Sequence, residues 1–194
     1  MSLLLASSSA IRQAMLDAAG VEYQALAAGV DETAAKARHG GDPAALALEL
    51  AQAKAKAISG QRQDQWVIGS DSVVSVGARL FDKPASREDA AAHLRSFSGQ
   101  QMQLVSAVAL ARGGQIDWSH CECATLHVRK LSEGFIADYL KREWPAVSYC
   151  VGVFRLEGPG VQLFESIDGD HFTILGMPLL PLLGALRERG IIAS

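Results

Sequence analysis

The chain is poor in the features that mark several functional classes. It carries three cysteines, Cys121, Cys123 and Cys150, an odd set without secretory context, and the expectation is reduced thiols in the cytoplasm. Cys121 and Cys123 sit in HCEC, which has half the spacing of a metal site but no second CxC or CxxC to complete it. In a strand the two thiols share one face, so packing is the expected role. Long apolar runs are missing as well. MSLLLASSS lacks a basic lead and is too short for a leader's apolar region. The most apolar stretch, ILGMPLLPLLGAL (174–186), is broken by Pro178 and Pro181 and falls short of the ~20 residues a membrane span needs. It reads as the end of a buried strand followed by a core helix. With 18 Lys and Arg against 21 Asp and Glu, the formal charge is −3, so no broad positive field is available for a nucleic-acid polymer. Also absent are GxxxxGK[ST], GxGxxG and GxSxG, which removes the P-loop, dinucleotide and hydrolase-elbow readings. The five histidines (39, 93, 120, 127, 171) form no i, i+4 pair, and neither a zinc helix nor a Ser–His dyad is suggested.

What remains is ordinary globular composition, 49% hydrophobic and 20% charged over 194 residues, enough for one sizeable core or two small lobes. Strand-like and helix-like stretches alternate. The pattern predicts a strand at SLLLA, helices over 10–19 and 43–58, a strand over 66–76 and a helix over 87–97. A long strand pair, QLVSAVALA and HCECATLHV, turns at ARGGQ, and 100–130 reads as an antiparallel extension. A helix over 132–143, a strand at GVQLFESI and a last helix over 179–189 complete an α/β chain with a mixed sheet. No repeat or linker divides it, so 1–194 reads as one domain with two lobes sharing one sheet.

Several polar residues occupy places that composition does not explain. In LASSSAIR, Arg12 falls in the first turn of a helix, where a cation is mildly unfavourable. Either Ser9 is an ordinary N-cap and Arg12 faces solvent, or Ser7, Ser9, the free N–H groups and Arg12 converge on an anion. On a wheel of 100° per residue, Lys54 lies in the middle of the apolar face marked by Leu46, Leu50, Ala57 and Ile58, while Lys56 lies opposite. A buried lysine is costly unless paired, so Lys54 either snorkels or meets an anion in a cleft. Asp71 interrupts the apolar strand QWVIGSDSVV, either as a turn residue that closes it or as a carboxylate for metal binding or general-base work of the kind α/β sheets gather beyond strand ends. Lys83 is held extended by Pro84, and Asp31 and Glu32 are adjacent in GVDETA. Carboxylates beside arginine and lysine suit a polyphosphate with a divalent ion.

These residues resemble the Maf-type nucleotide pyrophosphatases along nearly the whole chain. The matching pieces are LASSSAIR, VDET (30–33), LAQAKA (50–55), GSDSVV (69–74), DKP (82–84), RLEGPGVQLFE (155–165) and LGMPL (175–179). The resemblance implies a Maf/ITPase-like elongated mixed sheet flanked by helices with the active site in a cleft between two lobes. It also implies a cytoplasmic, commonly dimeric hydrolase that converts a nucleoside triphosphate to the monophosphate and pyrophosphate with Mg2+ or Mn2+. Carried over, Ser7, Ser9, Arg12, Lys54 and Lys83 hold phosphates, Glu32 and Asp71 hold the metal, and Asp71 is the catalytic carboxylate. Ala10 replaces a usual proline. Ile11, Ser72 and Glu157 stand where base preference is set. The pyrimidine branch has glutamine at the last of these places. A glutamate only accepts hydrogen bonds and pairs with the N1–H and 2-amino donors of guanine, as in the branch that acts on 7-methyl-GTP. The alternatives are a dTTP and UTP pyrophosphatase, or a nucleotide-binding regulator of septation with little turnover.

Overall fold

An uninterrupted leucine run needs cover on both faces, and β1 (Leu3–Leu5) has it: all three side chains are buried. The computed structural model describes residues 2–39 and 41–193. After β1 come α1 (Ala10–Ala18), β2 (Gln24–Ala25), α2 (Thr33–His39), α3 (Pro43–Ser59), β3 (Trp66–Val76), β4 (Arg79–Phe81) and α4 (Arg87–Phe97). Then follow β5 (Gln101–Arg112), β6 (Gln115–Val128), α5 (Glu133–Glu143), β7 (Phe164–Asp168), α6 (His171–Leu175) and α7 (Leu179–Glu188). The strands form a seven-stranded mixed sheet in the order β2-β1-β3-β5-β6-β7, with β4 paired on β3. β1 is parallel to both β2 and β3, whereas β4 is antiparallel to β3.

The chain divides into two compact units. The first holds the chain up to Ser72, Val105–Glu122 and Asp170 onward; the second holds Val73–Leu104 and Cys123–Gly169. Strand alternation sorts the first unit's core. Leu3, Leu5, Trp66 and Ile68 pack with Met15 and Leu16 of α1 and with Leu182 and Leu186 of α7, while Leu4, Ala6 and Val67 meet Ile58 of α3. The second unit is built around aromatic contacts, Phe81 against His93 and Phe97, and Phe154 against Phe164. Tyr139 is fully buried and donates its hydroxyl to the carbonyl of Val153 at 3.0 Å. No helix among the described residues is long and apolar enough to cross a membrane.

Three expectations are corrected. Residues 174 and 175 are not a strand end; they close α6, which Asp170 caps through the N–H groups of Phe172 and Thr173. A short polar cap outweighs apolar content there. The cysteine pair does not pack in the core: Cys121 is half-buried and Cys123 exposed. Nor is 100–130 a separate extension. β5 and β6 join through Gly113 and Gly114, both with positive φ as a two-residue hairpin turn requires, and the part of this hairpin around its turn belongs to the first unit.

Candidate active site

The site begins with how closely α3 approaches β3. Asp42 starts α3 by accepting from the N–H groups of Ala44 and Ala45 at 3.0 and 3.1 Å, with Pro43 in the first turn. Two turns further on, the helix backbone lies directly over Gly69: a Cβ there would stand 2.1 Å from the carbonyl oxygen of Ala51 and 2.6 Å from the nitrogen of Ala55. Only glycine permits this approach. Asp71, two residues along the strand, shares the face of Gly69, and Lys54 lies one position before Ala55. The Lys54 Nζ therefore reaches the Asp71 Oδ1 at 2.5 Å.

Lys54 also meets Glu32 Oε1 at 3.0 Å, so one ammonium bridges two carboxylates. Its side chain is 16% exposed and that of Asp71 12%. The snorkelling alternative is thereby excluded, and Lys56, on the opposite side of the helix, is exposed. Of the adjacent acids, Asp31 accepts from the N–H of Thr33 at 2.9 Å and closes the turn into α2. Glu32 is turned toward Lys54, with Lys36 of α2 at 3.5 Å. Burial raises the pKa of Glu32, but Lys54 and Lys36 outweigh it and the carboxyl ends below its usual range.

Arg12 resolves the question of SSSAIR. Ser9 occupies the N-cap position of α1 yet makes no side-chain cap bond; its own N–H donates to Ser7 Oγ at 3.2 Å. Arg12 is turned inward, not to solvent. Its Nε donates to the carbonyl of Gly176 at 2.8 Å and its Nη2 to Ser72 Oγ at 3.0 Å, while Nη1 has a weak contact with Ser7 Oγ at 3.5 Å. Burial works against the guanidinium charge, and Asp71 and Glu32 favour it. Glu32, Lys54, Asp71 and Arg12 thus form one cluster of alternating charge in the first unit. Among the described residues no group of three or more His, Cys, Asp or Glu converges. Two carboxylates do fit a hard divalent cation whose other ligands come from phosphate oxygens and water.

The base-facing expectations fare differently. Ile11 lines an apolar groove of about 370 Å3 with Met15, Phe172, Leu175 and Leu179. The Ser72 hydroxyl is engaged within the protein, within hydrogen-bond distance of Arg12, Ser106 and Gly176. Lys83 and Glu157 belong to the second unit. Both are exposed, and both act on the Cys150 thiol, which burial first and Glu157 next push up to about 11 while Arg155 and Lys83 oppose them. The turn that carries Glu157 is tied down by Arg155, whose Nε and Nη2 both donate to Oε2 of the buried Glu143 at 3.0 and 2.8 Å.

Sequence reasoning passed over Ser70, Ser106 and Gly176. Ser106 had a visible signal as the one hydroxyl inside QLVSAVALA; the carbonyl of Gly176 had none.

A chain with this mixed sheet and this charge cluster is placed by comparison with known proteins. It belongs to the Maf-like protein family, whose profile matches residues 2–189. Among curated proteins it is 47% identical over 193 residues to the 7-methyl-GTP pyrophosphatase of Rhizobium meliloti (strain 1021), covering 98% of this chain and 97% of that one. It is 46% identical over 191 residues to the nucleoside triphosphate pyrophosphatase of Granulibacter bethesdensis, with 97% of each covered. A nucleoside-triphosphatase (dITP/XTP pyrophosphatase) structure from Mycobacterium abscessus aligns over 98% of this chain and 96% of its own at 16% identity and a TM-score of 0.45, a level that says nothing further about the fold.

Proposed function

We propose that the chain is a nucleoside triphosphate pyrophosphatase that hydrolyses 7-methyl-GTP to 7-methyl-GMP and pyrophosphate. The observation that carries this reading is the Glu32–Lys54–Asp71 bridge beside the inward Arg12. Lys54 brings the two acids together, with Lys36 on the other oxygen of Glu32, and Arg12 keeps Nη1 for an anion. The relatives named above point to the same chemistry. In this reading Asp71 takes the proton of the attacking water, which adds to phosphorus as the bond to the bridging oxygen breaks and pyrophosphate leaves. Arg12, Lys54 and Lys83 take the phosphate oxygens, with Ser7 and Ser9 at the helix start. A divalent cation held by Asp71 and Glu32 would supply charge neutralisation of the polyphosphate. The three cysteines are all free, which suits a reducing cytoplasm.

Glu157 supports guanine over a pyrimidine, because its carboxylate pairs with two guanine donors and repels pyrimidine carbonyls. A mispaired polar group costs ~1–3 kcal/mol, so kcat/KM for 7-methyl-GTP should exceed that for dTTP and UTP at least roughly tenfold. The test is pyrophosphate release from a nucleotide panel with magnesium or manganese, repeated on Glu157→Gln, which should shrink the ratio. Faster turnover of dTTP or UTP returns the chain to the pyrimidine branch, and no release from any nucleotide makes it a binder.

A further inference from the structure

Ser106 lies outside the charge cluster and is fully buried on β5. Its hydroxyl donates to the carbonyl of Thr173 at 2.7 Å, so its single proton is committed to α6. Ser72 Oγ stands 2.9 Å from Ser106 Oγ. Because Ser106 has no proton left to give, Ser72 must be the donor in that contact. With its proton directed at Ser106, Ser72 offers its lone pairs to Nη2 of Arg12 at 3.0 Å.

The alternative orientation is available in the same place. Ser72 Oγ also lies 3.1 Å from the carbonyl of Gly176, the acceptor for Arg12 Nε at 2.8 Å, and Ser70 Oγ is 3.1 Å from that oxygen too. Without an acceptor at 106, the Ser72 proton turns to Gly176 and competes with Arg12 for the same oxygen. Both lone pairs of that carbonyl are then claimed, by Arg12 and by Ser72, while the Ser70 hydroxyl has its nearer acceptor in the carbonyl of Ala107 at 2.8 Å. The room for adjustment is small. Gly176 has φ +109, and a Cβ on it would sit 3.2 Å from Ser72 Oγ and 3.7 Å from the Arg12 guanidinium.

We infer that Ser106 is a positioning residue for Arg12: it sets the direction of the Ser72 hydroxyl, which holds the guanidinium so that Nη1 faces the nucleotide phosphates. The inference rests on the reading of Arg12 as a phosphate ligand.

The test uses inorganic tripolyphosphate, which has no base, in calorimetric binding to the full chain, alongside pyrophosphate release from 7-methyl-GTP. Ser106→Ala should weaken tripolyphosphate binding and raise KM for the nucleotide about fivefold or more, with a smaller change in kcat. Ser72→Ala, which deletes the acceptor outright, should do the same and serves if Ser106→Ala fails to fold. Combining Ser106→Ala with Arg12→Lys, which has no fork to orient, separates positioning from a general structural effect. The double variant should bind no more weakly than Arg12→Lys alone, because the coupling runs through the guanidinium. Equal losses in both backgrounds would overturn the proposal, as would unchanged binding in Ser106→Ala and Ser72→Ala. If Arg12→Lys itself leaves tripolyphosphate binding intact, the phosphate role of Arg12 fails; a change of substrate preference alone would touch only the base assignment.

Discussion

Two ion pairs, one in each unit, show how the same charges serve opposite ends. In the second unit, Glu143 is 5% exposed at its side chain and receives two N–H donors of Arg155 on one oxygen. One acid meets one fork, and the account is closed. In the first unit Lys54, a point charge on a flexible stem, is divided between Glu32 and Asp71. Both acids reach that ammonium, Glu32 has Lys36 as well at 3.5 Å, and the nearby guanidinium directs its best donors to Ser72 and Gly176. The first pair is complete and fastens a turn; the second cluster is incomplete and is disposed to exchange partners. On the proposed function, the first contributes to stability and the second to turnover.

That contrast makes Asp71→Asn the variant with the largest expected effect. Pyrophosphate release should fall at least about a hundredfold, because the proton acceptor is gone. The melting temperature should stay within a few degrees of wild type; wild-type turnover would remove Asp71 from the chemistry. Next comes Lys54→Met, which suits the apolar side of α3 and should lower kcat/KM by tens of fold with a smaller change in stability. Lys56→Met, on the exposed side, should be near neutral in both assays. Glu143→Gln should invert the pattern. It weakens a charge-assisted pair whose arginine can still reach water, so denaturant melts should report a loss of roughly 1–3 kcal/mol, with turnover affected less than by Asp71→Asn. A Glu143→Gln protein that melts like wild type while losing activity would dissolve the distinction.

The smallest effect is in pH dependence. His93 is buried in the second unit against Phe81 and Phe97, and its Nδ1 finds no hydrogen-bond partner among the described residues. Burial lowers its pKa, helped by Arg79 and opposed by Asp89 and Asp82. The unfolded chain then binds the proton more readily than the folded one. The stability that neutral His93 contributes is full above the unfolded value of about 6.5 and is lost as pH falls from there toward the lowered folded pKa. Melts between pH 7.5 and 5 should show a decline that His93→Phe flattens; an unchanged slope would exclude His93 as its source.

Much of this was legible in the sequence because it followed from periodicity. The inward Lys54 came from a helical wheel, and the mixed α/β order came from alternation of strand and helix patterns. Asp71 stood out as a charge inside an apolar strand. The elements that escaped notice are short: the two residues of β2, the seven of α2, the three of β4 and the five of α6. In such pieces pairing partners decide the conformation, and no period is long enough to register. The Arg12 network was hidden for another reason. Its central acceptor is a main-chain carbonyl at residue 176, and side-chain patterns carry no record of where a carbonyl points. Ser72 is named by resemblance among the residues that set base preference; that its hydroxyl also lies within hydrogen-bond distance of Arg12, Ser106 and Gly176 had no trace in the pattern.

The seat of α3 on Gly69 has a consequence for how this protein tolerates change. The gap between helix and strand is gauged by main chain on main chain, and main chain has no rotamers with which to absorb an error. The connection from residue 60 to 65 that joins the two elements sets no part of that gauge. Lengthening it by a residue or two should therefore leave the reach of Lys54 to Asp71 as it is, whereas a single methyl group at position 69 would open it. In this fold the working dimension is held where the main chain of α3 meets Gly69, with Ile58 against Val67 as a second contact further along the helix.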